Sequence, residues 1–187
     1  MIRKFRTVCP VTALSAGSFK GGPILFSAAG GSISLFREDD HIEFDVFDSH
    51  SIHGLKFYHD FGGCLLVYGD KSLKILTLQD DRGLTSSKSL PILFQIVLEL
   101  DHLDDLVLDA SITQGSVTRL QIGFAHNFVE FFSLEVKSSS QGEFWHLKAS
   151  QTKEREFCPT NCVLFSMSFA PNLALPKTLC HMATVAS

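Results

Sequence analysis

The chain has one Trp and two Tyr against 17 Phe, and no basic block longer than Arg3-Lys4 with Arg6 beside it. Sixteen Lys and Arg face 20 Asp and Glu, a formal charge of -4. Tight, direct nucleic-acid binding by this segment alone is not indicated, because such binding rests on neutralising many phosphates. No run approaches the roughly 18 apolar residues of a membrane-spanning helix. Met1 to Arg6 and the residues up to Ala16 follow a secretory leader only in outline, since Pro10, Thr7, Thr12 and Ser15 interrupt the apolar stretch. Five cysteines, at 9, 64, 158, 162 and 180, are an odd and scattered set. They read as reduced thiols of a cytoplasmic protein and not as a secreted disulfide framework. Also missing are G-x-S-x-G, a Walker A phosphate loop, G-x-G-x-x-G after a strand, and H-E-x-x-H. Catalysis within the chain is therefore not expected, and neither is a cofactor or a small-molecule substrate.

What is present is repetition. A strand-turn-strand phrase runs from Val11-Thr12-Ala13-Leu14 to Gly30-Gly31-Ser32-Ile33, and again from Ile52-His53-Gly54-Leu55 to Gly69-Asp70-Lys71-Ser72. A third copy runs from Val107-Leu108-Asp109-Ala110 to Ala125-His126-Asn127-Phe128, and Cys162-Val163-Leu164-Phe165 opens another. The starts at Val11, Ile52, Val107 and Val163 give steps of 41, 55 and 56 residues. Short strands at that period describe propeller blades. The expected fold is all-β: a partial WD40-type β-propeller of about three four-stranded blades plus the first strand of a fourth. Residues 1–169 form this incomplete propeller, the N-terminal part of a larger ring, and 170–187 form an irregular tail outside the repeat, broken by Pro171 and Pro176.

Within blade one the strands are Val11 to Gly17, Ile24 to Ala29, Ser32 to Arg37, and Ile42 to Phe47, where polar and apolar residues alternate without a break. Blade two has Ile52 to Tyr58, Cys64 to Tyr68, Leu73 to Leu78, and a strand within Ile92 to Leu98. Blade three has Val107 to Ile112, Val117 to Gly123, Phe128 to Val136, and Phe144 to Ala149. Polar insertions at Asp80 to Ser87 and Ser138 to Gly142 account for the longer steps. Gly30-Gly31, Asp70-Lys71 and His126-Asn127 sit where second and third strands reverse, and Gly, Asp and Asn tolerate such turns. The apolar run Cys64-Leu65-Leu66-Val67-Tyr68 reads as a strand buried on both faces, and the many Phe rings as filling between blades.

Four groups of residues invite a chemical reading. Cys158 and Cys162, with His146 or His181, have the ligand types of a zinc site but lack a second close pair, so structural cysteines are expected. His41, His50, His53 and His59 fall on different strands and faces, which keeps them from converging. A His near a blade's first strand often bonds a turn Asp, a role open to His53 or His102. Asp101, Asp104, Asp105 and Asp109 lack the glycine and ligand pattern of an EF-hand loop and read as a solvated approach to a strand, with Asp109 capping a turn. Gly17 to Gly22 is a glycine-rich hairpin loop. A propeller glycosidase would need paired carboxylates, and nothing brings Asp45 and Asp109 together. No catalytic, cofactor or metal residue is expected.

In order, Ile52-His53-Gly54, Val67-Tyr68-Gly69-Asp70-Lys71-Ser72-Leu73-Lys74, Asp105-Leu106-Val107-Leu108-Asp109-Ala110, Gly123-Phe124-Ala125-His126-Asn127-Phe128-Val129 and Cys158-Pro159-Thr160-Asn161-Cys162 resemble the N-terminal blades of one WD-repeat family. It is the family that partners the FtsJ-type tRNA 2'-O-ribose methyltransferase, and the resemblance spans Val11 to Phe169. It implies a non-catalytic subunit that holds the methyltransferase and its tRNA so that the wobble nucleotide of the anticodon is methylated; S-adenosylmethionine would belong to the partner. The Trp-Asp repeat ending is absent from every blade, and most of the family's blades are absent too. The alternative reading is a general WD-repeat scaffold in signalling or trafficking, with no RNA in its complex. Neither reading involves a membrane.

Overall fold

The computed structural model describes residues 10–37, 40–80, 92–138, 145–158, 162–169 and 180–186. Among them are fourteen strands and no helix. Four antiparallel strands, β1 (Val11–Phe19), β2 (Gly22–Ala29), β3 (Ser32–Arg37) and β4 (Asp40–Asp45), pair in chain order. A second four-stranded sheet joins β5 (Gly54–Tyr58), β6 (Cys64–Gly69), β7 (Ser72–Asp80) and β8 (Ile92–Leu100), and a third joins β9 (Val107–Thr113), β10 (Thr118–Phe124), β11 (Phe128–Ser138) and β12 (Trp145–Phe157). A two-stranded sheet of β13 (Cys162–Phe169) and β14 (Cys180–Ala186) follows. Each sheet is a meander, the topology that short turn-linked strands reach with the least loop closure.

The sheets stack in sequence order. First strands lie side by side, β1 against β5, β5 against β9, β9 against β13, while the last strands β8 and β12 also touch. This blade-like arrangement leaves the middle sheet covered on both sides, and β6 shows the consequence: all of Cys64 to Gly69 is buried. Strand alternation divides its side chains. Leu65 and Val67 join Phe26, Ile33, Leu35 and Leu76 in the core facing the first sheet. Cys64, Leu66 and Tyr68 join Ile122, Leu120 and Phe124 in the core facing the third. Each such fully buried side chain contributes about 1.5–3 kcal/mol. Phe rings fill the first seam as composition led one to expect: Phe26 lies 5.2 Å from Phe57, and Phe44 5.2 Å from Phe94.

The turn chemistry read from the sequence is seen in the backbone. Gly30, Asp70 and Asn127 have φ of 60°, 46° and 59° at the three equivalent reversals. Asn and Asp visit this left-handed region at modest cost, Gly at none. Gly31 has a second constraint, because a Cβ there would sit 2.1 Å from the Phe47 carbonyl oxygen.

Several strand ends differ from the sequence reading by one or two residues: β1 runs on to Phe19, β4 covers Asp40–Asp45 and leaves Val46 and Phe47 in the linker, and β5 starts at Gly54 and not at Ile52. Two differences are larger. The last strand of the third sheet, read as Phe144 to Ala149, instead runs from Trp145 to Phe157. Its extension pairs with Phe128 to Phe132 through two register shifts that let the longer strand follow its neighbour. The charged run Lys153-Glu154-Arg155-Glu156 looks like loop in a sequence but suits an outermost strand, where charges block unwanted pairing. Within 170–187, Cys180–Ala186 pairs with β13 from Phe169↔Cys180 to Cys162↔Ala186. The rest of that segment lies outside the described residues, as do 81–91 and 139–144, where the two polar insertions fall. Among the described residues no helix is long and apolar enough to cross a membrane.

Candidate functional site

The linker that leaves each sheet returns to that sheet's β2–β3-type turn before the next sheet starts. In the first sheet, Val46 N and Phe47 N both donate to Gly31 O at 3.0 Å, and Ile52 N donates to Gly30 O at 2.8 Å. In the second, Leu103 N donates to Lys71 O at 2.9 Å and Val107 N to Asp70 O at 2.7 Å. In the third, Cys158 N donates to Asn127 O at 2.7 Å. These bonds satisfy turn carbonyls that would otherwise face only water, and they fix where each following sheet begins. The product is one face on which turns and linkers lie side by side.

Side chains reinforce the backbone latches with two pairs of opposite sense. His53, in the linker, brings Nε2 to 3.6 Å from Oδ1 of Asp70, in the turn. One sheet on, the acid is in the linker and the histidine in the turn: Asp105 Oδ2 accepts from His126 N and faces His126 Nδ1, both at 2.8 Å. Burial pushes the Asp105 carboxyl up, but the bonds from His126 and from the Leu106 amide outweigh it and hold the group below the usual carboxylate range. His53 thus faces the turn aspartate anticipated for it, at a separation beyond a hydrogen bond, whereas His102 is exposed with φ of 57°. The reversed pair was not anticipated; the only sequence signal for it is that Asp105 and His126 occupy, exchanged, the places of His53 and Asp70.

Arg155 on β12 closes the outer rim of this face. Its guanidinium donates from Nε to Glu130 Oε1 at 2.7 Å, pairs with Asp104, and lies 4.5 Å from the Phe128 ring centroid. Around it, Phe157 is 72 % exposed and Leu106 45 %. Lys71 Nζ donates to Asp104 O at 3.1 Å. Exposed apolar side chains amid fixed charges make this rim suited to protein contact.

At the seam between the second and third sheets, Asp109 Oδ1 accepts three hydrogen bonds: from Lys56 Nζ at 2.5 Å, Tyr68 OH at 2.8 Å and its own neighbour Ala110 N at 2.8 Å. Ile112 N donates to Tyr58 OH at 2.9 Å. Burial pushes the Tyr58 hydroxyl up to about 12 and raises that of Tyr68 further, with Asp109 adding to both. Both phenols therefore stay protonated, Tyr68 as the donor to Asp109 and Tyr58 as the acceptor from Ile112 N. This cluster ties first strands together across 53 residues of sequence.

The acidic run is thus split three ways, Asp104 to Arg155, Asp105 to His126 and Asp109 to Lys56, while Asp101 is exposed. Asp109, expected to cap a turn, instead joins two sheets. Asp45 accepts from Ser32 Oγ at 2.6 Å on β4, in a different sheet from Asp109. His41 stacks on Phe36 at 5.9 Å, His50 packs on Phe47 at 4.3 Å, and His59 pairs with Asp60 at 3.1 Å, so the four histidines do not converge. Gly17 to Gly22 is the β1–β2 hairpin, turning at Lys20 and Gly21. Cys158 is buried and His146 is exposed; the side chains of Cys162 and His181 lie outside the described residues. Among the described residues no group of three His, Cys, Asp or Glu is placed to hold a metal ion.

Stacked antiparallel sheets with a shared turn-and-linker face define the class: an all-β protein of blade-like sheets. No family model and no curated protein matches the chain.

Proposed function

We propose that the chain is a non-catalytic, propeller-type WD-repeat adaptor of an FtsJ-type tRNA 2'-O-ribose methyltransferase, acting in modification of the wobble nucleotide. The observation that carries the propeller part is the repeated return of each linker to the preceding turn, which gives successive sheets one orientation around their adjacent first strands. The methyltransferase part rests on the ordered phrases. Ile52-His53, Asp70-Lys71, Asp105-Leu106 and Ala125-His126-Asn127 fall in the linkers and turns of the proposed binding face, while Val107 to Ala110 lie on β9.

The mechanism is positioning. The face holds the enzyme against the anticodon arm, and the latches keep the face rigid, so that two bound partners meet in one geometry and not many. The 2'-OH of the wobble ribose and the methyl donor both belong to the bound partners. The chain's own residues supply docking: Phe157, Leu106 and the Arg155 network at the rim, with the turn residues beside them.

A pull-down of the tagged chain from cytosol tests this. Recovery of an FtsJ-type methyltransferase together with tRNA is the expected result. A folded, soluble chain that recovers neither, when the same bait with Phe157→Ser gives an identical profile, counts against it.

A further inference from the structure

The turns and linkers have a charge balance unlike that of the rest of the chain. In the linkers Val46 to His53 and Asp101 to Leu106, and in the turns Gly30-Gly31, Asp70-Lys71 and Ala125-His126-Asn127, the charged residues are five aspartates and one lysine. The aspartates are Asp48, Asp70, Asp101, Asp104 and Asp105, and the lysine is Lys71. Setting these aside from the 20 acids and 16 bases of the sequence leaves 15 of each sign. The whole formal charge of -4 therefore belongs to the turn-and-linker face. A field of one sign concentrated on one surface gathers groups of the opposite sign.

The cations beside this face are already engaged. Lys71 Nζ donates to Asp104 O at 3.1 Å, and Arg155 is held between Asp104 and Glu130. Asp48 and Asp101, by contrast, are exposed. Between the acids stands an apolar side chain, Leu106, 45 % exposed. Its backbone is fixed, since Leu106 O accepts from Ala125 N of the adjacent turn at 2.9 Å and Val107 N donates to Asp70 O at 2.7 Å. An anchored apolar residue within a negative field matches a polypeptide that carries both basic and apolar side chains. It is a poor match for a phosphate backbone, whose binding requires cations to neutralise the phosphates.

We propose that the turn-and-linker face docks a basic segment of a partner polypeptide. Lys or Arg side chains of that segment meet Asp48, Asp70 and Asp101, and an apolar residue between them packs on Leu106. The surface follows from the fold and its charge and holds for any protein partner. Resting on the methyltransferase reading, it further assigns this face to the enzyme, with the RNA reached through the enzyme and not by the face itself. A pull-down that recovers no methyltransferase bears on that reading, whereas peptide binding bears on the surface.

The probe is a fluorescein-labelled decapeptide, Gly-Arg-Lys-Leu-Arg-Ser-Leu-Lys-Arg-Gly, read by fluorescence polarisation against the full chain at about 0.15 M salt. Saturable binding is expected, and none when glutamate replaces each Lys and Arg of the peptide. Asp48→Asn combined with Asp101→Asn is expected to weaken binding about fivefold, and Leu106→Ser about as much. All three positions are exposed, so unfolding midpoints should stay unchanged. Asp60→Asn combined with Glu43→Gln removes the same charge from exposed sites off this face and is expected to leave binding unaltered. No saturable binding, equal loss in the two charge-matched double variants, insensitivity to Leu106→Ser, or tighter binding of an anticodon stem-loop RNA than of the peptide would overturn the proposal.

Discussion

Asp109 is the residue on which most of the second seam's polar chemistry turns. Its side chain is 5 % exposed and that of Lys56 32 %. Removing the carboxylate leaves a half-buried ammonium and the Tyr68 hydroxyl without their acceptor, and single-partner removal from a buried pair costs about 3–5 kcal/mol. Partial exposure of Lys56 lets water recover some of this, so Asp109→Ala is expected to cost about 2–3 kcal/mol. Urea unfolding monitored by far-UV circular dichroism measures it, and Lys56→Met in the same background should return part of the loss. Cys64 gives a second residue-level expectation. Desolvation pushes its thiol up to about 12, so the thiolate that reacts with alkylating reagents is scarce near pH 8. Native protein is expected to leave Cys64 unlabelled by iodoacetamide at pH 8, with labelling appearing in urea; prompt native labelling would show that the core between the second and third sheets opens. Asp105 sets an acid limit. Its folded pKa lies below the unfolded value near 3.9, so its stabilisation is present above about pH 4 and is lost as pH falls through the folded pKa. Asp105→Asn should therefore be less stable than the parent at pH 7, with the gap closing as pH falls through the lowered folded pKa.

Turns and linkers are the elements that decide how sheets stack, and they were also the most legible part of the sequence. Gly30-Gly31, Asp70-Lys71 and His126-Asn127 announce themselves because few residue types accept left-handed φ. Alternation in His41 to Asp45 and the apolar run at Cys64 to Tyr68 likewise reveal one covered face and two, since strand period and burial act on the residue directly; the alternation read on to Phe47 stops where β4 ends, and Val46 and Phe47 are both buried in the linker. Pairings between distant residues left no such mark. Lys56 with Asp109 and Asp105 with His126 depend on how one sheet is rotated onto the next, and neither residue type is unusual where it stands. The end of β12 was hidden for another reason: an outermost strand carries charge for solubility, and Lys153 to Glu156 has the composition of a loop. Two substitutions test the turn account. Asn127→Ala, at φ of 59°, is expected to cost about 1 kcal/mol and Asn127→Gly close to nothing. Gly31→Ala should cost more than Asn127→Ala, because its Cβ meets the Phe47 carbonyl and displaces the linker latched there.

Across the whole molecule, stability and function draw on the same contacts. Each sheet buries its faces against its sequence neighbours, so stability is shared among successive interfaces and damage at one seam propagates to the next. The turn-and-linker face inherits its rigidity from those seams, which is how, under the proposed reading, the chain would impose geometry on an enzyme and its RNA. Rim substitutions should consequently separate binding from folding. Phe157→Ser removes a 72 % exposed ring, so the unfolding midpoint is expected to stay unchanged. The most direct test is reconstitution from purified components: the chain, an FtsJ-type methyltransferase, S-adenosylmethionine and an anticodon stem-loop RNA, with wobble ribose methylation read by mass spectrometry. The account predicts that the chain raises the methylation rate at least tenfold and that Phe157→Ser abolishes most of the gain without altering the fold. A correctly folded chain that leaves the rate unchanged would contradict it.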